Sequence, residues 1–124
     1  MNKSNYRDLV VWQRSRQLTA AIYRITRQFP SEERFCLTQQ LRRAALSILC
    51  NIAEAHGRRS IKSRLHFLDI AYGSALEVEA QIVIAGDLEY LASAATDALV
   101  EQLLEVTRLL NGLIRYYDRK LASA

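Results

Sequence analysis

The chain has 124 residues, half of them hydrophobic, with one proline, four glycines and a formal net charge of +4. This length suits one domain with its own core, and this composition excludes a disordered chain and disfavours a β-fold with many turns. The N-terminus lacks the apolar segment of a signal peptide, and no run of about 18 apolar residues follows. We therefore expect a soluble, cytoplasmic protein without membrane contact.

Four stripes of apolar residues recur at the three- and four-residue spacing of a helix face. Short connections between them make sequential helices antiparallel neighbours. The sequence therefore predicts an all-α fold, an antiparallel up-down-up-down four-helix bundle. Its single domain spans residues 1–124, with helices near residues 8–29, 31–55, 60–90 and 97–120.

The connections contain residues that begin and end helices. Ser31 follows a proline and is the predicted N-cap of the second helix. Gly57 is the predicted stop of that helix, and Ser60 the N-cap of the third. Thr96 or Asp97 is the predicted N-cap of the fourth.

The two cysteines, Cys36 and Cys50, both fall within the predicted second helix. At about 1.5 Å per residue, their Cα atoms are separated by about 21 Å. A disulfide needs about 7 Å or less. We predict buried, reduced thiols and no disulfide within the chain.

A metal site has little support in the sequence. Di-iron bundles use Glu-x-x-His pairs, because ligands at i and i+3 project from one helix face, whereas Glu54 and His56 are only two positions apart. A site of Cys50, Glu54 and His56 is the alternative, but its spacing suits metal ligation poorly. Nucleophile motifs and glycine-rich phosphate loops are missing from the sequence. We expect no catalytic residue, no metal and no cofactor, and hence no enzyme.

Charge is distributed unevenly along the chain. Thirteen of the 17 Lys and Arg residues lie within residues 1–64, and nine of the 13 Asp and Glu residues lie within 65–124. In an up-down bundle, the turn between the second and third helices meets the end of the fourth helix. We call this end the basic pole. Its candidate nucleic-acid-binding residues are Arg58, Arg59, Lys62, Arg64, Arg115, Arg119 and Lys120.

The basic pole predicts contact with phosphate groups, because residues 58–64 lead into a helix whose free N–H groups attract anions. Tyr6, Tyr116 and Tyr117 fall near the same end, where they can stack on unpaired bases. The alternative is that cations at a helix C-terminus offset the dipole and that a charged turn serves solubility. The opposite end, which we call the acidic pole, contains Glu32, Glu33, Asp87, Glu89, Asp97 and Glu101 against three cations, Arg24, Arg27 and Arg34.

A second polar set lies midway along the bundle. Arg42 and Arg43 of the second helix fall opposite Glu77 and Glu79 of the third. They predict ion pairs that fix the register of the two helices.

Several large apolar residues fall off the four stripes. A monomer of this size would leave them as contiguous apolar surface, which usually marks an interface. The alternative is that broader helix stripes absorb several of them. We predict a homo-oligomer whose interface includes Trp12, Tyr23, Phe35 and Phe67.

A series of segments carries a family resemblance. They are DLVVWQ (8–13), QLRRAALSI (40–48), NIAE (51–54), GRRS (57–60) and FLDIAYGS (67–74). In this order and spacing, the sequence resembles the four-helix-bundle proteins encoded in intervening sequences of 23S ribosomal RNA genes, over about residues 6–91. Leu49, Cys50 and Ala55 depart from the usual pattern.

This family is similar to the accessory proteins of diversity-generating retroelements, which form pentameric barrels and engage nucleic acid and reverse transcriptase. The resemblance implies a homopentamer with a positively charged surface and no known catalytic activity. The leading hypothesis is an oligomeric, non-enzymatic accessory protein that binds RNA or DNA, with structured RNA at its basic pole. The alternative is a scaffold for a protein partner such as a polymerase or reverse transcriptase, with no direct role in nucleic-acid binding.

Overall fold

The computed structural model describes residues 5–123. Within this range the chain is helical, with two short 3-10 turns, Tyr6–Asp8 and Ser31–Glu33, that precede the first two α-helices. The α-helices are α1 (Val10–Thr26), α2 (Leu37–Gly57), α3 (Ile61–Asp87) and α4 (Ser93–Ala122).

The four α-helices form a closed ring of antiparallel neighbours. Each helix packs on the next in the chain, α1 also packs on α4, and the α2–α3 interface is the most extensive. Within residues 5–123 the diagonal pairs, α1 with α3 and α2 with α4, have no Cα atoms within 8 Å of each other. The predicted up-down-up-down bundle is confirmed.

The core consists mainly of residues from the predicted stripes. Every helix contributes side chains that are almost completely buried, and burying each one stabilises the fold by about 1.5–3 kcal/mol. They include Leu18 and Ile22 of α1, Leu41, Ile48 and Ile52 of α2, Leu68, Val78 and Ile82 of α3, and Leu103, Val106 and Leu110 of α4.

The turn between α2 and α3 follows the prediction. Gly57 is the last residue of α2, and Arg58 is extended. The Ser60 hydroxyl accepts a hydrogen bond from the Ser63 amide at 3.0 Å, so Ser60 caps α3.

The predicted N-caps of the second and fourth helices are wrong. Ser31 begins a 3-10 turn instead, and α2 starts only at Leu37, whose amide donates to Glu33 Oε1 at 3.2 Å. α4 starts at Ser93, ahead of Thr96, whose hydroxyl donates to the carbonyl of Ala92. In the connection between α3 and α4, the backbone of Glu89 is in the left-handed region, with φ 63°.

Polar contacts fix the register of the helices, but not through the predicted ion pairs. Arg42 Nε donates to the Thr26 hydroxyl at 2.8 Å, and its guanidinium lies 4.7 Å from the centroid of the Tyr23 ring. It therefore faces α1 rather than Glu77 and Glu79 of α3. Between α2 and α3, the Ser74 hydroxyl instead donates to the Ser47 hydroxyl at 2.8 Å.

Two expectations about burial are also corrected. Trp12 is only 8% exposed and contacts Tyr6 edge to face, because the 3-10 turn Tyr6–Asp8 folds back beside α1. Trp12 is therefore a core residue of the subunit and not part of an exposed apolar surface. Cys36 and Cys50 are exposed thiols rather than buried ones.

Candidate nucleic-acid interface

The structure brings the two predicted halves of the basic pole together. Arg64, in the first turn of α3, donates from Nη1 to the hydroxyl of Tyr117 in the last turns of α4 at 2.8 Å. Its guanidinium carbon lies 5.5 Å from the centroid of the Tyr117 ring. Residues 58–64 and 115–120 therefore share one end of the bundle. The start of the first helix meets the same end in an up-down bundle, so Lys3 is also predicted there, but Lys3 lies outside the described residues.

Arg58 is held in place at the α2–α3 turn. Its Nη1 lies 3.1 Å from Glu54 Oε2, its Nε donates to the Ser63 hydroxyl at 2.9 Å, and its guanidinium carbon lies 5.0 Å from the Phe67 ring centroid. The Arg58 carbonyl in turn accepts from Arg64 Nε at 2.8 Å. These bonds order the turn that carries the cations, and Glu54 offsets part of the charge of Arg58.

The remaining cations of the basic pole face solvent. Arg59, Lys62, Arg115 and Arg119 are exposed, and no carboxylate lies within ion-pair distance of any of them in the part of the chain that the structure describes. Exposed cations on an ordered frame can contact phosphates with little reorganisation. A shallow cavity of about 550 Å³ lies at the α2–α3 turn, and its lining includes Arg58, Arg59 and Ser60 together with Glu54.

Aromatic rings lie among these cations. Tyr116 is 43% exposed, meets Tyr117 edge to face at 5.1 Å, and has Lys120 Nζ 5.3 Å from its ring centroid. Tyr6 is partly buried against Trp12. Of the three predicted stacking tyrosines, Tyr116 is the most open to solvent.

The acidic pole is organised around Glu33. One carboxylate oxygen of Glu33 accepts from the Leu37 amide, and the other accepts from the Tyr90 hydroxyl at 2.8 Å. That hydrogen bond, with burial and the charges of Glu33 and Glu32, raises the pKa of Tyr90 above its ordinary value. These bonds hold the segment in which Phe35 is 78% exposed.

A polar groove lies between α2 and α3, at the second polar set that the sequence predicts there. It encloses about 370 Å³ and is lined by Gln40, Arg43, Ser47, Glu77 and Gln81. Within residues 5–123, no three His, Cys, Asp or Glu side chains come close enough together to hold a metal ion. No helix of the described chain combines the length and apolarity that a membrane span requires.

The four predicted interface residues have different surroundings. Trp12 belongs to the core, Tyr23 lies under Arg42, Phe67 is partly buried under Arg58, and Phe35 is open. The prediction did not include most of the outer face of α3. There Ile70, Leu76, Val83 and Ile84 are each more than a third exposed, and so is Leu88, the residue after α3. The sequence could have indicated this face, because these apolar residues lie on the side of α3 opposite its core stripe.

The fold and its surface define a class of protein: a small antiparallel four-helix bundle with cations concentrated at one end. A family model for 23S rRNA-intervening sequence proteins matches residues 7–112. The chain belongs to that family. A search of curated proteins finds no match.

Among solved structures, the chain is similar to a protein of unknown function from the S23 ribosomal protein family of Bacteroides thetaiotaomicron. The two chains are 25% identical and superpose with a TM-score of 0.81. The match covers 88% of this chain and 98% of the other.

Proposed function

We propose that this chain is a subunit of an oligomeric, non-enzymatic accessory protein of the cytoplasm that binds structured RNA through its basic pole. The observation that carries the proposal is the Arg64–Tyr117 hydrogen bond, which unites the cations of the α2–α3 turn with those of the α4 terminus. The family's description refers to 23S rRNA, which makes a structured RNA the first ligand to test.

Charge polarity supports a defined orientation on RNA. Cations that neutralise phosphates release counterions, and this release supplies most of the sequence-independent affinity. Arg59 and Lys62 are exposed at the basic pole, whereas Glu32 and Glu89 are exposed at the opposite end. A polyanion therefore meets attraction at one end of the bundle and repulsion at the other.

The outer face of α3 supports the oligomeric part of the proposal. A helix that is apolar on opposite sides is typical of one covered on both. In the isolated subunit Leu76 and Val83 are each 49% exposed on this face, and Leu46 of α2 is 39% exposed. We place the contact between subunits here. The homopentamer implied by the family resemblance is the assembly that we propose.

Salt-dependent RNA titration tests the proposed function. The variant carries Arg59→Ala and Lys62→Ala, two exposed cations of the basic pole. The matched control carries Arg24→Ala and Arg27→Ala, which remove the same charge from the other end of the bundle. A fluorescent hairpin RNA is titrated with each protein at several salt concentrations, and log K is plotted against log salt.

We expect the basic-pole variant to bind more weakly and to lose about 0.7 of slope for each phosphate contact made to an unpaired strand. The control should keep the wild-type slope. Equal losses in both variants would show that only net charge matters. No loss in either would place the RNA elsewhere, and both results contradict the proposal.

A protein scaffold is the second candidate, and the exposure of Phe35 favours it. An aromatic side chain held 78% exposed on an ordered turn resembles the anchors that dominate protein interfaces. Pull-down with and without nuclease separates the two functions. Under the scaffold function, a partner survives nuclease and is lost with Phe35→Ala. Under the RNA-binding function, partners disappear once the RNA is digested.

A further inference from the structure

We infer that the basic pole selects unpaired nucleotides, and that Tyr116 is the platform on which a base stacks. The inference rests on the proposed RNA-binding function and specifies the form of RNA that the site takes. Single strands present both the face of a base and its phosphates, so a site for them needs an open ring among cations.

The C-terminal turns of α4 have this arrangement. Tyr116 and Lys120 are one helical turn apart, and so are Arg115 and Arg119, so the two pairs form adjacent rows on the helix surface. All four residues are exposed. A base on the Tyr116 ring therefore has three cations within reach of its flanking phosphates.

The ring of Tyr116 is positioned before any ligand arrives. Its edge-to-face contact with Tyr117 is 5.1 Å between centroids, and the Tyr117 hydroxyl is fixed by Arg64. Lys120 Nζ lies 5.3 Å from the Tyr116 centroid, on a long flexible side chain that can move from the ring to a phosphate. The Tyr116 ring is thus ordered by its contact with Tyr117, and a stacked base has to displace Lys120 from the ring.

A duplex would make no comparable use of this ring. The bases of double-stranded RNA are stacked on each other, and proteins contact it through phosphates and 2′-hydroxyls in the shallow groove. The cations of the basic pole can bind either form, whereas Tyr116 adds affinity only for an unpaired base. Single strands should therefore bind more tightly than duplexes of equal length.

The test compares a labelled 12-nucleotide RNA with the same strand annealed to its complement, at one salt concentration. Tyr116→Leu keeps an apolar side chain and removes the aromatic face, whereas Tyr116→Phe keeps the face. Phe35→Leu removes an exposed aromatic ring at the other end of the bundle and is the matched control.

We expect Tyr116→Leu to weaken single-strand binding about 5- to 150-fold and to leave duplex binding unchanged. Tyr116→Phe and Phe35→Leu should bind both RNAs as the wild type does. Single-strand binding that is unaffected by Tyr116→Leu, or duplex binding as tight as single-strand binding, would overturn the inference while the proposed function stands. Failure of the wild type to bind either RNA would overturn both.

Discussion

The α3 contact between subunits can be tested by replacing Gly73 with arginine. Gly73 lies on the outer face of α3, one turn from Ile70 and Leu76, and a Cβ atom added there would meet no atom within 4 Å. The subunit itself therefore has room for a long side chain at this position. Replacing a glycine inside a helix by arginine also favours the helix by about 0.5–1 kcal/mol.

Although Gly73→Arg favours the helix, it should weaken the association of subunits. If a second copy covers this face, the side chain of Gly73→Arg is buried in the contact, and even paired with Asp69 or Glu77 one turn away, a buried guanidinium costs several kcal/mol. A cost of about 3 kcal/mol per contact corresponds to a dissociation constant about 150-fold higher. The oligomer should therefore dissociate at concentrations where the wild type is assembled.

Sedimentation velocity and circular dichroism are the assays, with Gln17→Arg as the control. Gln17 is exposed on α1, so this control adds the same charge away from the α3 face. We expect Gly73→Arg to remain helical and become monomeric, while Gln17→Arg stays assembled. Unchanged assembly of Gly73→Arg would refute the α3 contact, and a monomeric wild type would refute the oligomer.

Other predictions concern stability and titration. Gly112→Ala fills open space within α4 and should raise the free energy of unfolding by about 0.5–1 kcal/mol in chemical denaturation. Glu89→Gly should also stabilise the protein, by about 1 kcal/mol, because it relieves a left-handed backbone that costs most residues about 1–2 kcal/mol; a loss of stability would contradict this explanation. Glu33→Gln should lower the pKa of Tyr90, followed by NMR titration of labelled tyrosine, because the hydrogen-bonded carboxylate raises it. In the wild type, the stability that the Tyr90–Glu33 hydrogen bond contributes is present below the ordinary tyrosine pKa of about 10. It is lost as pH rises through the elevated pKa of Tyr90. An unchanged Tyr90 pKa in the variant would show that Glu33 does not cause the shift.

Local sequence signals predicted the helices well where a neighbouring residue decides the structure. The apolar spacing of the four stripes identified the core, and Ser60 caps α3 through an amide only three residues away. The α2 start was missed because Glu33 binds both the Leu37 amide and Tyr90, a residue that is 57 positions away in the chain. No pattern around Ser31 contains that information.

The candidate site was predictable to a similar degree. Antiparallel topology alone brought residues 58–64 to residues 115–120, because helix order and short turns decide which ends meet. Helix order and short turns do not decide in which direction a side chain points. Trp12 is covered by a 3-10 turn that has no helical periodicity, and Arg42 turns toward α1 to reach Thr26 and Tyr23.

Crosslinking of bound RNA, with the crosslinked peptides identified by mass spectrometry, tests the central claim most directly. We predict that crosslinks concentrate in residues 58–64 and 115–120, with Tyr116 among the modified side chains. Crosslinks concentrated at the acidic pole, around residues 31–35 and 87–97, would contradict the account.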